Sequence, residues 1–216
     1  MFFLLLSITL LGVLVVLPWR WFALPTSAFM MTERWTTGNE VDYRWTPLER
    51  ISPQLAIAVV ASEDQKFPRH YGFDLDSIMD ALSSRRKQIR GASTISQQVA
   101  KNLYLWGERS YLRKGIEAYL TVLIESLWPK RRILEIYLNV AEFAPGVYGA
   151  EAASQRLFGK PASRLTLLDS SLLAAVLPNP KQMRAAPPSD YVRKRAQDIR
   201  YEVRRLGGAH YLDFLE

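Results

Sequence analysis

Residues Phe2–Pro18 (FFLLLSITLLGVLVVLP) carry no charge, and this run constrains the chain before any other feature does. At about 1.5 Å per residue it would form a helix of roughly 25 Å, near the short end of what a bilayer crossing requires. Trp19, Trp21 and Phe22 follow directly, with Arg20 among them. Such rings collect at a membrane interface, and an arginine there snorkels toward the headgroups. Segment 1–22 therefore reads as one N-terminal transmembrane helix. A buried soluble helix and a cleaved signal peptide are the competing readings, although Arg20 and the tryptophans occupy the place of a small-residue cleavage site. No Lys or Arg precedes the run, so charge leaves the orientation of the anchor open.

The remainder needs one sizeable core: 216 residues, 49% of them hydrophobic, rule out disorder and are too few for two ordinary enzyme domains. With no cysteine a disulfide scaffold is excluded, and with two histidines so is a multi-histidine zinc site. Lys plus Arg number 28 against 21 acids, a net +7 that suits a polyanionic partner: nucleic acid, anionic lipid or a phosphorylated substrate.

Periodicity beyond residue 50 predicts a mostly α-helical domain. Residues 23–50 read as a juxtamembrane linker and 51–216 as the domain, with a core over 51–180 and a basic helix over 189–206. Ser52-Pro53 opens a helix that runs through Leu55, Ile57, Val59 and Val60 to Ser62-Glu63-Asp64. Leu75, Ile78, Met79 and Leu82 mark a second helix, and Arg85–Arg90 an exposed basic loop. Ser93 is expected to cap a helix over 94–103, and Ser110 one over 111–127 with an inward stripe of Leu112, Ile116, Tyr119/Leu120, Leu123 and Leu127. Helices from Pro129 to Asn139 and from Tyr148 to Phe158 follow. Thr166 with Asp169 opens one to Leu177, and Ser189 caps the last, with Val192, Ala196, Ile199, Val203 and Leu206 inward. No convincing strand pair is evident.

Five polar clusters exceed what a core pattern needs. In Glu63-Asp64-x-x-Phe67-x-x-His70-x-Gly72, acids end an apolar helix, where the macrodipole disfavours them; partial burial there would suit a general base. The stretch Gly91 to Asn102 (GASTISQQVAKN) opens a helix with free N–H groups and hydroxyls, and places Thr94, Gln97 or Gln98, and Lys101 on one face, suited to hydroxyls plus phosphate. Arg113-Lys114-x-x-Glu117 has the weaker order for a surface ion pair, and could instead hold a pyrophosphate directly or through a divalent cation. In the fourth, Arg131 to Asn139, Leu134, Tyr137 and Leu138 read as packing and Glu135 and Asn139 as braces between helices. The fifth, Gly146 to Lys160, uses small residues for close helix approach.

In this order the clusters resemble the five signature motifs of the peptidoglycan glycosyltransferases, over about Ile51 to Pro180. The leading apolar segment and the length are similar to the monofunctional members. The resemblance implies a lysozyme-like helical domain on a single transmembrane anchor, outside the bacterial inner (plasma) membrane on its periplasmic face. It implies polymerisation of lipid II, a disaccharide-pentapeptide on undecaprenyl pyrophosphate, into β-1,4-linked glycan with inversion at C1. Glu63 would take the proton of the acceptor 4-hydroxyl. Glu117 would sit by the leaving pyrophosphate, with Mg²⁺ or Mn²⁺ as an indirect option. Lys101, Arg113 and Lys114 would neutralise that pyrophosphate, and Ser93, Thr94, Gln97, Gln98 and Asn102 would bind phosphate and sugar. Asp64, Phe67, His70, Gly72, Glu135 and Asn139 would support them. The implied partners are lipid II, the growing strand, the membrane, and other cell-wall synthases and divisome proteins, with no nucleic acid.

Three rivals have to be weighed. A lytic transglycosylase or lysozyme would share the fold and first glutamate, but gives no purpose to the polar second helix or the Arg/Lys/Glu turn. Ser84-x-x-Lys87 fits the short Ser-x-x-Lys pattern of a transpeptidase, without room for its domain. A membrane adaptor or a basic nucleic-acid binder accounts for the charge but not for the paired carboxylates.

Overall fold

The structure is a computed structural model that describes residues 2–38, 40–76, 79, 93–213 and 215. Its centre is α3, Pro53–Glu63, in which every residue from Leu55 to Ala61 is buried. An apolar run with no polar stripe has to be covered on all sides. Two helices, α8 (Leu167–Val176) and α9 (Asp190–Arg205), pack against it. A second group stacks α4 (Ile95–Tyr104) on both α5 (Tyr111–Leu127) and α6 (Lys130–Val140). Side-chain caps start all of these helices except α6, which follows Pro129: Ser52, Ser110 and Ser189 each accept a first-turn N–H, and Thr166 with Asp169 completes a capping box. For α4 the cap is Thr94, paired with Gln97, and not the expected Ser93.

Several expectations need correction. Segment 23–50 is folded onto the body: α2 (Ala28–Thr37) packs on α4, and Met30 is fully buried. A small sheet is present where no strand pair was expected. Its order is β1 (Asp42–Tyr43), β3 (Val147–Tyr148), β2 (Glu142–Ala144), with β1 parallel and β2 antiparallel to β3. Tyr148 therefore belongs to a strand, and α7 runs from Ala150 to Phe158. Strands of two or three residues leave no period-two pattern to read. Ile78, Leu82, the Arg85–Arg90 run, Ser84 and Lys87 lie outside the described residues.

On α5 the inward side is offset from the expected stripe. Arg113, Glu117, Leu120, Thr121, Leu123 and Ile124 are buried, whereas Leu112 is 71% exposed. Part of the apolar stripe meets α1, Phe2–Val16, which packs against α5. Tyr119 donates to the Ile8 carbonyl at 3.0 Å and Trp128 Nε1 to that of Val16 at 3.1 Å. A Cβ at Gly12 would come within 2.6 Å of Leu123, so the glycine permits this approach.

The α1 helix has 15 residues and passes into a 3₁₀ turn at Leu17–Arg20, where Pro18 has no N–H to continue the ladder. Among the described residues no helix is long and apolar enough to cross a membrane. Arg20, expected to snorkel, donates instead to the Leu127 carbonyl at 2.5 Å, the favourable place for a cation at the end of α5. Arg132 binds the carbonyls of Trp19 and Phe22 from α6, so the segment after α1 is tied to the domain.

Candidate active site

The carboxylates of the first cluster straddle the end of α3. Glu63 is its last helical residue, and at Asp64 the backbone leaves the helix. The acids that looked misplaced at a helix C-terminus have a local reason. Asp64 accepts the Ile95 N–H at 2.9 Å, so it sits at the N-terminus of α4, where a negative charge is favoured. His70 Nε2 lies 3.0 Å from both Asp64 oxygens, while its Nδ1 accepts the Gly72 N–H at 3.1 Å; Nε2 is therefore the donor. Thr94 Oγ1 donates to the Gly72 carbonyl at 2.6 Å. Gly72 has φ +85°, and a Cβ there would stand 2.8 Å from Thr121 Cγ2, so no other residue fits without strain. Phe67 is fully buried beneath the Lys130 ammonium, 4.5 Å from the ring centre. These supporting residues join the ends of α3 and α4.

Glu63 keeps different company. It accepts from Ser62 Oγ at 3.1 Å and from Gln98 Nε2 at 3.1 Å, and its nearest cation is Arg195, 3.8 Å away. Arg195 lies on α9, which carries no motif, and the sequence reading missed it. A signal existed: Arg195 borders the apolar face of Val192, Ala196, Ile199 and Val203, an unusual place for a solvated cation.

The second and third clusters meet across α4 and α5. Thr94 and Gln97 are buried and hydrogen-bond to each other, which makes them builders of the helix start. Ser93 is exposed and Asn102 half-buried, and neither side chain has a hydrogen-bond partner among the described residues. Lys101 is half-buried, its ammonium 5.4 Å from the Phe29 ring centre, so α2 also contributes to the site. Burial pulls the Lys101 pKa below the ordinary lysine value; Arg113 and Lys114 add to this, while Glu117 and Glu63 oppose it. One lysine thus senses both glutamates and both basic residues of the third cluster.

Glu117 is only 2% exposed and accepts from Arg113 at 2.8 Å and from Lys114. The Arg113–Glu117 pair is buried, unlike the weak surface pair its order suggested, and Arg113 Nε is buried without an acceptor. Both Glu117 oxygens are engaged by cations. Among the described residues no group of three or more acids and histidines could hold a metal ion. A divalent cation at Glu117 would have to displace Arg113 or Lys114 from one of its oxygens.

The fourth cluster braces the segment that leads into a short 3₁₀ helix, Leu48–Arg50. Asn139 accepts the Thr46 N–H at 2.8 Å and donates to the Thr46 carbonyl at 2.9 Å, and Glu135 accepts the Leu48 N–H at 3.0 Å. The fifth does provide close approach: Gly149, at φ +85°, would place a Cβ 2.7 Å from the Asn139 carbonyl oxygen.

A helical domain with one carboxylate among neutral donors, a second among cations and a half-buried lysine sensing both is an anatomy for glycosyl transfer to or from a phosphorylated sugar. Residues 30–204 match the family model described as Transglycosylase, and the chain belongs to that family. It is 54% identical to a biosynthetic peptidoglycan transglycosylase of Pseudomonas syringae pv. syringae (strain B728a), covering 94% of this chain and 89% of the relative. Proteins of the same name are 51% identical in Stutzerimonas stutzeri (97% and 89% covered) and 56% identical in Shewanella oneidensis (78% and 73% covered).

Proposed function

We propose that this chain is a peptidoglycan glycosyltransferase that polymerises lipid II into β-1,4-linked glycan strands for cell-wall synthesis, releasing undecaprenyl pyrophosphate. The observation that carries the reading is Lys101: one half-buried ammonium within Coulombic reach of Glu63, Glu117, Arg113 and Lys114.

Glu63 accepts the proton of the acceptor 4-hydroxyl as that oxygen attacks C1 of the donor sugar, with the pyrophosphate leaving from the opposite face. Single general-base catalysis is worth about 10²–10⁴-fold. The leaving group departs already charged, so Lys101, Arg113 and Lys114 stabilise it electrostatically. Glu117 holds the two basic side chains of its own helix turn in place. Ser93 and Asn102 face sugar and phosphate, Gln98 acts through its hydrogen bond to Glu63, and Thr94 and Gln97 contribute through the helix start they build.

The proposed location is the periplasmic face of the bacterial inner membrane, with α1 as the anchor and other cell-wall synthases and divisome proteins as further partners. Its support is chemical: Phe3, Leu10, Leu11 and Leu14 of α1, and Trp21 and Phe22 just after it, are exposed hydrophobic side chains.

Purified protein with labelled lipid II in detergent, with and without Mg²⁺ and followed by product sizing, tests the reading. Glycan polymer is expected in both arms. No polymer, or release of fragments from intact sacculi instead, would overturn it.

A further inference from the structure

A line of hydrogen bonds runs through the domain and ends on Glu63. Tyr137 on α6 is 1% exposed, and its hydroxyl lies 3.1 Å from Gln98 Oε1. Gln98 Nε2 in turn lies 3.1 Å from Glu63 Oε2. Chemistry fixes the direction of this line. An ionised carboxylate only accepts, so Gln98 must turn its NH₂ toward Glu63 and its carbonyl toward Tyr137, and the tyrosine hydroxyl must donate. The opposite amide orientation would set two acceptors face to face. Among the described residues the Gln98 side chain has no other hydrogen-bond partner, so Glu63 sets which way the amide faces and Tyr137 is what anchors its far end. Burial raises the Tyr137 pKa well above the ordinary tyrosine value, and Glu63 and Asp64 push it the same way, so the group stays a donor throughout the working pH range.

Packing does not explain the hydroxyl. Leu134 and Leu138, on the same helix, are fully buried hydrocarbons, and a phenylalanine ring would fill the volume of Tyr137 equally well. Among the described residues the oxygen is used only through Gln98.

We infer that Tyr137 is a positioning residue for the glycosyl-transfer base: by fixing the Gln98 amide it holds Glu63 in the rotamer that receives the proton of the acceptor hydroxyl. This rests on the reading of Glu63 as that base. Without the tyrosine hydroxyl, the carbonyl end of Gln98 loses its donor, and the side chain is free to swing away from the Glu63 carboxylate. The loss falls on turnover, because the donor sugar and pyrophosphate are held by other groups.

The test is a double-mutant cycle on the full chain. Wild type, Tyr137→Phe, Gln98→Ala and the double variant are compared for kcat and KM with labelled lipid II, and for thermal midpoint. Tyr137→Phe is expected to lower kcat about three- to tenfold, with KM within about twofold, the effect of one lost orienting hydrogen bond. In the Gln98→Ala background the same substitution should have no further effect on kcat, because the tyrosine then has nothing to orient. Wild-type kcat in Tyr137→Phe, multiplicative losses in the double variant, or an activity loss matched by loss of folded protein would each overturn the inference. Wild type that makes no polymer overturns the underlying reading of Glu63; an active wild type with an indifferent Tyr137→Phe overturns this inference alone.

Discussion

Glu63 and Glu117 are the same side chain in one electrostatic neighbourhood, yet the protein holds them in opposite ways. Glu63 receives neutral donors, Ser62 and Gln98, and its nearest cation stands off at 3.8 Å. Glu117 is buried and engaged by two cations, Arg113 and Lys114. The Glu63 carboxylate is held by single hydrogen bonds from neutral groups, whereas Glu117 is locked to a guanidinium and an ammonium and serves to fix their positions. The contrast lies in their surroundings rather than in residue type, and it is what supports the proposed division of roles.

The largest expected effect breaks the comparison at Glu63. Glu63→Gln preserves shape and neutral hydrogen bonding but cannot take a proton. Polymerisation should fall about 10²–10⁴-fold while binding of labelled lipid II and the thermal midpoint stay near wild type. Near-normal polymer yield would remove Glu63 from the reaction.

Glu117→Gln should do the reverse, acting first on stability. It leaves the Arg113 guanidinium, 8% exposed, without its counter-charge. Breaking a buried pair on one side costs about 3–5 kcal/mol. At roughly 2–4 °C per kcal/mol for a chain of this size, the midpoint should drop by about 10 °C. A midpoint unchanged by Glu117→Gln would mean that the carboxylate is not the anchor of this turn.

Lys101 links the two ends, and its pH behaviour sharpens the comparison. Its pKa is lowered, so as pH rises the ammonium is lost earlier than an ordinary lysine would lose it. Lipid II affinity should therefore weaken on a premature alkaline limb. Lys101→Arg, which stays charged, should move that limb to higher pH, and Lys101→Ala should weaken donor binding about tenfold or more, the worth of a charged hydrogen bond. Binding curves against pH that coincide for wild type and Lys101→Arg would leave the lysine outside the donor site.

Where local chemistry dictates structure, the sequence was legible. Ser52, Ser110, Thr166 and Ser189 announce their helices because a hydroxyl that captures a first-turn N–H is a short-range event. The five clusters drew attention to Glu63, Lys101 and Glu117 for the same reason: their spacing is local. What stayed hidden depends on the third dimension. The stripe on α5 could not say whether it would meet the core or α1, and the spacing of Arg113 and Glu117 could not say that the pair would be buried. Arg195 approaches Glu63 from a helix that follows all the clusters, and Tyr137 looked like packing because a tyrosine's ring and hydroxyl serve different ends. The small sheet joins Asp42–Tyr43 to a hairpin far along the chain, a pairing no short window contains.

The smallest expected effect concerns divalent cations, and it tests whether Glu117 is spent. A free carboxylate that ligated Mg²⁺ would gain stability as RT ln(1 + [L]/Kd), about 1.4 kcal/mol at ten times Kd. That corresponds to roughly 3–5 °C in the midpoint of the substrate-free protein. With both Glu117 oxygens bound to Arg113 and Lys114, a cation would first have to displace one of them. Millimolar Mg²⁺ or its removal by EDTA should therefore shift the midpoint by less than about 1 °C, within the scatter of a surface effect. A shift of several degrees that disappears in Glu117→Gln would place a metal on this carboxylate and return it to the role its sequence spacing left open.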